Sequence, residues 1–363
     1  MKMNKYFSMA ALGALALTFG SCENGTPEFD DYEGGTSVYF AHQNVERILV
    51  LGNDENRDNT KDNEHIINIV STMGGAYNGK DITLDVAVDN SLCDNLYFSD
   101  GVSPVKPMPA EYYTLAGNTI SYGGNLQGKL QVKLNDAFFA DPASVKNTYV
   151  IPLIIKDQKG AGKILTGTPF QEGETPALTN SDAWKILPQN YVLYCVKYMN
   201  PWAGFYLRRG TDRITENGQT TEEKREGATI EKDEVCQITT KSLTEAIYPL
   251  TVKRVVGKDA EGKDILKSYT CNLKLTFAND GTCSVSSETE GVTATGTGKF
   301  VEKGAKLAWG NKDRDILTLQ YTVDFGAVKV ETTDQFVAQT RGNTNGILIF
   351  DTQYIVKLSL IHI

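Results

Sequence analysis

Ile82-Thr83-Leu84-Asp85-Val86-Ala87-Val88 places apolar side chains at every second position. That two-residue period predicts a β-strand with one face on a core. Lys129-Leu130-Gln131-Val132-Lys133-Leu134 repeats it, with Leu130, Val132 and Leu134 inward and the lysines and glutamine outward. Around these two lie shorter apolar runs at 38–40, 48–51 and 66–70, and a nearly all-apolar one at 149–155. Pro152 within that last run predicts an edge or bulge position, since proline cannot donate to a ladder. Clusters of Gly, Asn, Asp and Pro separate the runs. One stretch, 136–145, reads as helical, and Pro142 keeps it short. About seven short strands over some 120 residues match an immunoglobulin-like β-sandwich.

The stretch 156–182 is rich in Gly, Thr and Pro and reads as a long surface loop or a domain junction. Tyr191-Val192-Leu193-Tyr194-Cys195-Val196-Lys197-Tyr198 closes the first unit, and Asn200-Pro201 breaks it. Strand-like runs then follow at 247–256, 265–277, 282–287, 306–309, 316–325, 327–340 and 347–360. Hairpin signals stand at Asn279-Asp280-Gly281 and Phe325-Gly326. Long strands joined by short turns are a meander, and closure into a lipocalin-like (calycin-like) antiparallel β-barrel would remove their exposed edges. The expected organisation is all-β: a sandwich over 37–198 and a barrel-like domain over 199–363.

The chain begins with Lys2 and Lys5, an apolar run from Phe7 to Phe19, then Gly20, Ser21 and Cys22. This order reads as a lipoprotein signal peptide over 1–21, cut before a lipidated Cys22. Position 19, where such signals favour leucine, is Phe19. The apolar run falls short of the roughly 20 residues a spanning helix needs. Residues 22–36 are acidic and aperiodic and read as a flexible tether from an outer-membrane anchor at the cell surface, with the periplasmic face as the alternative location. Formal net charge is −9. An acidic balance argues against nucleic acid and against anionic lipid surfaces, which call for clustered Lys and Arg. Apart from Cys22, five cysteines remain, with no CxxC spacing, so neither a zinc site nor a full set of disulfides is indicated. Small buried thiols are the expected role.

Catalytic patterns are missing. Three histidines are present, His42, His65 and His362, and no GxSxG elbow. Asp54, Asn56 and Asp58 begin a calcium-loop spacing, but Asn59 replaces its turn glycine and His65 its bidentate glutamate. The segment therefore reads as a turn-rich loop, with calcium near Asp54–Asp58 left open and no metal or cofactor assigned. Glu222, Glu223, Glu226, Asp233 and Glu234 crowd 210–233, which reads as a charged, solvated loop and not as a glycosidase pair. Sugar binding calls for flat aromatic faces, so Trp184, Trp202 and Trp309 are the glycan-binding candidates, each weighed against core packing, and Tyr112-Tyr113 form a further aromatic pair.

Several motifs together carry a resemblance: the lipidation signal, VYFAHQNVERILVLGND (38–54), GKDITLDVAVDNSLCD (79–94), MPAEYYTL (108–115), GKLQVKLNDAFFADP (128–142) and MNPWAGFYLRRG (199–210). The chain resembles surface lipoproteins of Bacteroidetes glycan-utilisation loci. These carry an uncharacterised N-terminal module, also found ahead of family-18 endoglycosidases, and a barrel-like C-terminal module. The resemblance implies an outer-membrane accessory protein that captures glycan for a partner transporter. The DxDxE motif of the glycosidase branch is absent, and strands do not alternate with helices as a (β/α)8 barrel requires. The expectation is a non-catalytic glycan-binding lipoprotein. The alternatives are an interaction protein that docks a transporter without touching sugar, and an enzyme with an unrecognised carboxylate pair.

Overall fold

The computed structural model of the chain describes residues 30–342, 347–349 and 355–356. The N-terminal strands are β1 (Ser37–Tyr39), β2 (Asn44–Val50), β3 (Ile66–Gly74), β4 (Thr83–Val88), β5 (Leu96–Tyr97), β6 (Lys106–Pro107), β7 (Tyr113–Leu115), β8 (Thr119–Ser121), β9 (Gln127–Leu134), β10 (Tyr149–Lys159), β11 (Lys163–Ile164), β12 (Thr168–Pro169), β13 (Trp184–Ile186) and β14 (Tyr191–Met199). They build two facing sheets. One runs β11-β1-β3-β9-β7, and the other includes β2-β14-β10-β4-β8.

Alternation decides which side chains meet between the sheets. Ile82, Leu84 and Val86 are buried, as are Leu130, Val132 and Leu134, while Lys129, Gln131 and Lys133 face water. The continuous apolar runs have a different cause. On β10, Ile151, Leu153 and Ile155 enter the main core, while Val150 and Ile154 enter a second cluster with Leu92, Leu96 and Val105. The 90–109 excursion thus covers the outer face of that sheet, and a strand covered on both faces has no polar side to show.

Pro152 is a correction. Its strand lies inside the sheet, between β14 and β4, not at an edge. The proline is tolerated because β4 ends at Val88, just where a donor from residue 152 would be called for. The Pro152 carbonyl still accepts the Asp89 N–H at 2.8 Å. The helical reading of 136–145 holds in two pieces, an α-turn at Asp136–Ala140 and a 3-10 turn at Pro142–Val145 capped by Asp141.

The second unit comprises β15 (Gly204–Glu216), β16 (Gln219–Arg225), β17 (Glu234–Thr240), β18 (Glu245–Lys258), β19 (Asp264–Phe277), β20 (Thr282–Ser287), β21 (Thr293–Ala305), β22 (Arg314–Asp324) and β23 (Val328–Thr340). Neighbours pair in order from β17 to β23, and β15 pairs with both β17 and β23. Eight antiparallel strands therefore close into a barrel, with β16 attached outside the ring. Both hairpin signals fall at turns, 278–282 and 325–328. The reading of 210–233 as a mobile loop is overturned. Asn217 and Gly218 adopt positive φ of 53° and 75° and turn β15 back into β16. Four of the acids named in and beside it are ion-paired: Glu223 with Arg254 at 2.6 Å, Glu226 with Lys224 at 2.7 Å, Asp233 with Arg209 at 2.6 Å and Glu234 with Arg208 at 3.0 Å. Past the barrel, β24 (Ile347–Ile349) adds to β2 and β25 (Ile355–Val356) pairs with β5. The rest of the expected 347–360 run lies outside the described residues.

Inside the barrel, apolar layers sandwich an ionic one. Asp334 is fully buried and accepts from Arg208 Nε at 2.9 Å, Tyr321 Oη at 2.7 Å and Arg225 Nη2 at 2.6 Å. Arg225 also grips Asp212 through two bonds of 2.5 and 2.9 Å, and Thr332 donates to the same carboxylate at 2.7 Å. Burial raises the Asp212 pKa, but the Arg225 bonds outweigh it and the net shift is downward. Arg225 is the last residue of β16, so this network staples the outer hairpin to the ring.

Four residues, 200–203, connect the two units, and Asn200 fills the junction. Its side-chain amide donates to the Ser242 and Glu245 carbonyls at 3.0 and 2.8 Å and accepts the Trp202 and Ala203 N–H groups at 3.2 and 3.0 Å. Arg341, at the end of β23, donates to the carbonyls of Leu51, Asn53, Asn200 and Pro201. Burial holds its guanidinium pKa below the usual arginine value.

Two outcomes follow for stability. Asn200→Ala strands several buried backbone groups and should lower the urea-unfolding free energy by about 2–3 kcal/mol. Asp334→Ala leaves buried guanidinium charge uncompensated and should cost about 3–5 kcal/mol in the same assay.

Candidate functional site

The tryptophans fall in separate places. Trp184 is buried in the first unit, with Nε1 donating to the Ala177 carbonyl at 3.0 Å, and so pins the 156–182 loop. Trp202 is half-buried at the junction end of the barrel, stacked on Phe277 with ring centroids 4.0 Å apart and planes within 5°. Trp309 is half-buried beneath the Arg314 guanidinium, 4.5 Å from its ring centre. All three are engaged in packing. Tyr112 and Tyr113 both lie against the sandwich core, and Tyr112 Oη donates to Asp141 at 3.0 Å. Cys22 lies outside the described residues.

The 54–65 loop spends its oxygens locally. Asp54 accepts the Asn56 N–H at 3.0 Å and meets Arg57 at 3.3 Å, while Asp58 accepts from the Thr60 N–H and hydroxyl. Arg47 and Arg57 both pair with Asp62. Arginines occupy the positions a cation would take, and Glu55 reaches Arg314 at 3.2 Å to brace the barrel. Among the described residues no group of three or more His, Cys, Asp or Glu is disposed to hold a metal. Register accounts for the thiols: β19 and β20 place Phe277 opposite Cys283, leaving Cys271 beside Ser287 Oγ at 3.3 Å. Burial pushes the thiols of Cys93, Cys195, Cys236 and Cys283 up to about 12, so they stay protonated and inert.

A larger hollow than any the sequence reading pointed to lies among the described residues. A cleft of about 920 Å³ opens at one end of the sandwich, between the end of β3, the loop after it, and the β8–β9 turn. Glycines bring its two loops together. A Cβ on Gly79 would stand 2.0 Å from the Gly124 carbonyl oxygen, and Gly123 and Gly124 take positive φ of 53° and 79° to make the turn. Thr72 and Met73 donate to the Leu126 carbonyl at 3.4 and 3.2 Å, tying strand to turn. The floor is Tyr122, buried, with its ring against Gly128, where no side chain intervenes.

Its lining has the composition that suits a neutral polyhydroxyl ligand. Tyr77 is 62% exposed at the rim. Asn78 and Gln127 offer amides, Ser121 a hydroxyl and Lys129 an ammonium, while the Asn125 amide donates to the Tyr122 and Gly123 carbonyls and holds the turn. No lining residue is a carboxylate. The signal that could have found this site is the pair of glycine-rich turns, Gly74-Gly75 with Gly79 and Gly123-Gly124, around an isolated tyrosine.

The segment 22–36, expected to be a flexible tether, is docked from Asp31 onward against the 75–80 loop, whose residues 76–79 line the cleft. Tyr32 N–H donates to the Gly75 carbonyl at 2.8 Å, and Asp31 takes Lys80 Nζ at 2.6 Å and the Tyr77 N–H at 3.3 Å. The Lys80 bond draws the Asp31 pKa below the ordinary carboxylate value.

A second, smaller groove of about 480 Å³ crosses the outside of the barrel. Strand register builds it from polar rungs, one of which is Thr295–Thr322–Glu331–Arg213–Glu222. Arg213 stands between the two glutamates and contacts Glu331 at 3.3 Å. The groove has carboxylates but, apart from Tyr321 of the barrel network, no ring. The sandwich cleft is larger, has an exposed tyrosine at its rim, and is the stronger ligand site.

Comparison with known proteins adds to this. Residues 201–342 match a domain of unknown function, DUF5627, and residues 31–162 match a family model of an N-terminal domain. A crystal structure from Bacteroides ovatus, a protein of unknown function, is 43% identical, covers 90% of this chain and 100% of its own, and superposes with a TM-score of 0.81. The chain belongs to the family of that protein. An auxiliary nutrient binding protein from Bacteroides thetaiotaomicron is also matched, at 12% identity over 81% of this chain and 89% of its own. Its TM-score of 0.33 carries no argument about this chain. No curated protein matches.

Gly79→Val should force the two cleft loops apart while leaving the core packed. The expected result is a loss of about 1–3 kcal/mol, with faster amide exchange confined to 75–81 and 123–126.

Proposed function

We propose that this protein is a non-catalytic glycan-binding lipoprotein, anchored through Cys22 at the outer membrane and working beside an uptake system. The observation that carries the reading is the sandwich cleft. It joins an exposed tyrosine at its rim to the amides of Asn78 and Gln127 and the Ser121 hydroxyl, and none of its lining residues bears the acid that glycoside hydrolysis calls for. Aromatic faces take the apolar side of a sugar ring, and amides satisfy its hydroxyls. Lipid attachment would hold the cleft near partner membrane proteins and raise its effective concentration there.

Calorimetry and affinity gels against a panel of plant and host glycans test this directly. Binding should be present in the folded chain and weakened about tenfold or more by Tyr77→Ala, with the melting temperature unchanged. Folded protein that binds no member of the panel would count against the reading. For the anchor, Cys22→Ser should move the protein from the membrane fraction to the soluble one without loss of fold.

One feature favours a docking role beside, or in place of, sugar binding. The β18–β19 hairpin projects beyond its neighbours, with Val255, Val256, Ile265 and Leu266 exposed near its tip. Exposed apolar clusters of this kind suit a protein partner. Co-purification with a membrane complex, insensitive to added glycan and lost on Val256→Lys with Leu266→Lys, would support that reading.

A further inference from the structure

A pocket of about 230 Å³ adjoins the cleft and has the opposite character. It exists because the chain changes sheets. β1 ends at Tyr39 in one sheet and β2 begins at Asn44 in the other. β1 therefore pairs with β3 only at Thr72–Gly74, and along 66–71 that edge of β3 has no strand beside it among the described residues. The crossing turn is held by Gln43 Nε2, which donates to the Phe40 carbonyl at 2.7 Å. Ala41 and His42 in that turn are exposed at the pocket's rim. From the other sheet Tyr194 Oη donates to the Asn68 carbonyl at 3.2 Å and satisfies one group of the open edge. The floor is core: Val45, Ile69 and Val192 are all buried in the cluster between the sheets. Val70 stands beside them, 36% exposed. No Asp, Glu, Lys or Arg lines the pocket.

Pocket and cleft are continuous. Thr72 and Gln127 line both, and they are cross-strand partners on β3 and β9. One rung thus divides a polar hollow from an aliphatic one. A sugar with every hydroxyl free gains nothing from the aliphatic side, because a hydroxyl buried there without a partner costs free energy. A cavity of roughly 150 Å³ holds a benzene ring, so this one has room for a small acyl group. Resting on the glycan-binding reading, we infer that the pocket is an acyl subsite, and that the ligand is a glycan carrying acetyl groups, as ester or as acetamide. The sugar ring lies in the cleft and the acetyl methyl enters the pocket against Val45, Val70 and Val192. His42 and Gln127 are the side-chain donors available to the acyl carbonyl.

The test uses full-length chain in detergent and calorimetric titration with two ligand pairs. One is acetylated xylo-oligosaccharide against the same material after mild alkaline de-esterification. The other is N-acetyl chito-oligosaccharide against its N-formyl counterpart, which keeps a neutral amide and lacks only the methyl. In the pair that binds, the acetyl member should bind about fourfold tighter or more, the scale of one methyl taken out of water. Ala41→Leu fills the pocket and Val70→Asp places a charge in it. Both side chains reach solvent, so the melting temperature should hold. Each variant should bring the ratio within the pair to about one and leave the affinity of the acetyl-free member as in the parent chain. Asn78→Ala, in the cleft, should weaken both members alike and keep the ratio. If the parent chain binds glycan but separates the members of neither pair, or if both pocket variants keep its preference, the acyl subsite is wrong and the glycan-binding reading stands. Folded protein that binds these pairs and every other glycan equally poorly overturns both.

Discussion

A carboxylate with no exposure to water, Asp334, is the point on which the barrel closes. It sits on β23, the last strand of the ring, and takes donors from β15, β16 and β22. Replacing such a group with well-packed apolar residues can be neutral for stability, so its worth lies in specificity more than in net energy. Two guanidinium groups and one phenol hydroxyl reach it in one register only. A slip of one residue along β15 would turn Arg208 outward and leave Asp334 unpaired in an apolar interior. The ring therefore closes in one way, and β16 is carried with it through Arg225. The guanidinium of Arg208 also lies 5.4 Å from the Tyr248 ring centre and 5.9 Å from that of Phe336, which joins the ionic layer to the aromatic one beneath it.

Much of this architecture could be read in advance, for a physical reason. Strands with one wet face announce themselves by period two, and 82–88 and 129–134 did so. The meander of the second half was visible because its turns carry Asn-Asp-Gly and Phe-Gly. Misreadings came where side-chain chemistry had two meanings. Thr215-Glu216-Asn217-Gly218-Gln219 holds an Asn-Gly hairpin signal as strong as any in the chain, but the acids around it suggested a hydrated loop. Cross-strand pairing with arginines supplied what those acids lacked. Pro152 misled because the rule about edges concerns hydrogen bonds, not position. A central strand accepts proline wherever its neighbour has already ended.

The candidate site was far less legible. Tryptophan attracted attention because it is the largest aromatic, and for the same reason packing had claimed all three. The cleft is made instead by glycines 79, 123 and 124, whose contribution is the absence of a side chain, together with one tyrosine at the rim, Tyr77. Such a site appears only when two loops 45 residues apart are brought together, as Gly79 and Gly124 are. Kinship with the Bacteroides ovatus protein secures the fold over both units and leaves their chemistry to be argued from side chains.

The four-residue junction has a consequence for how the molecule behaves as an object. Asn200 and Arg341 leave no slack between the units, so sandwich and barrel turn together. The cleft lies at the far end of β3, roughly 26 Å from that strand's start by strand rise, and the hairpin tip lies roughly 43 Å along β18 from Glu245, whose carbonyl Asn200 holds. What enters the cleft is thereby kept at a set remove from what meets the hairpin. In that sense the protein is a ruler, and Asn200 is the mark that keeps its scale true.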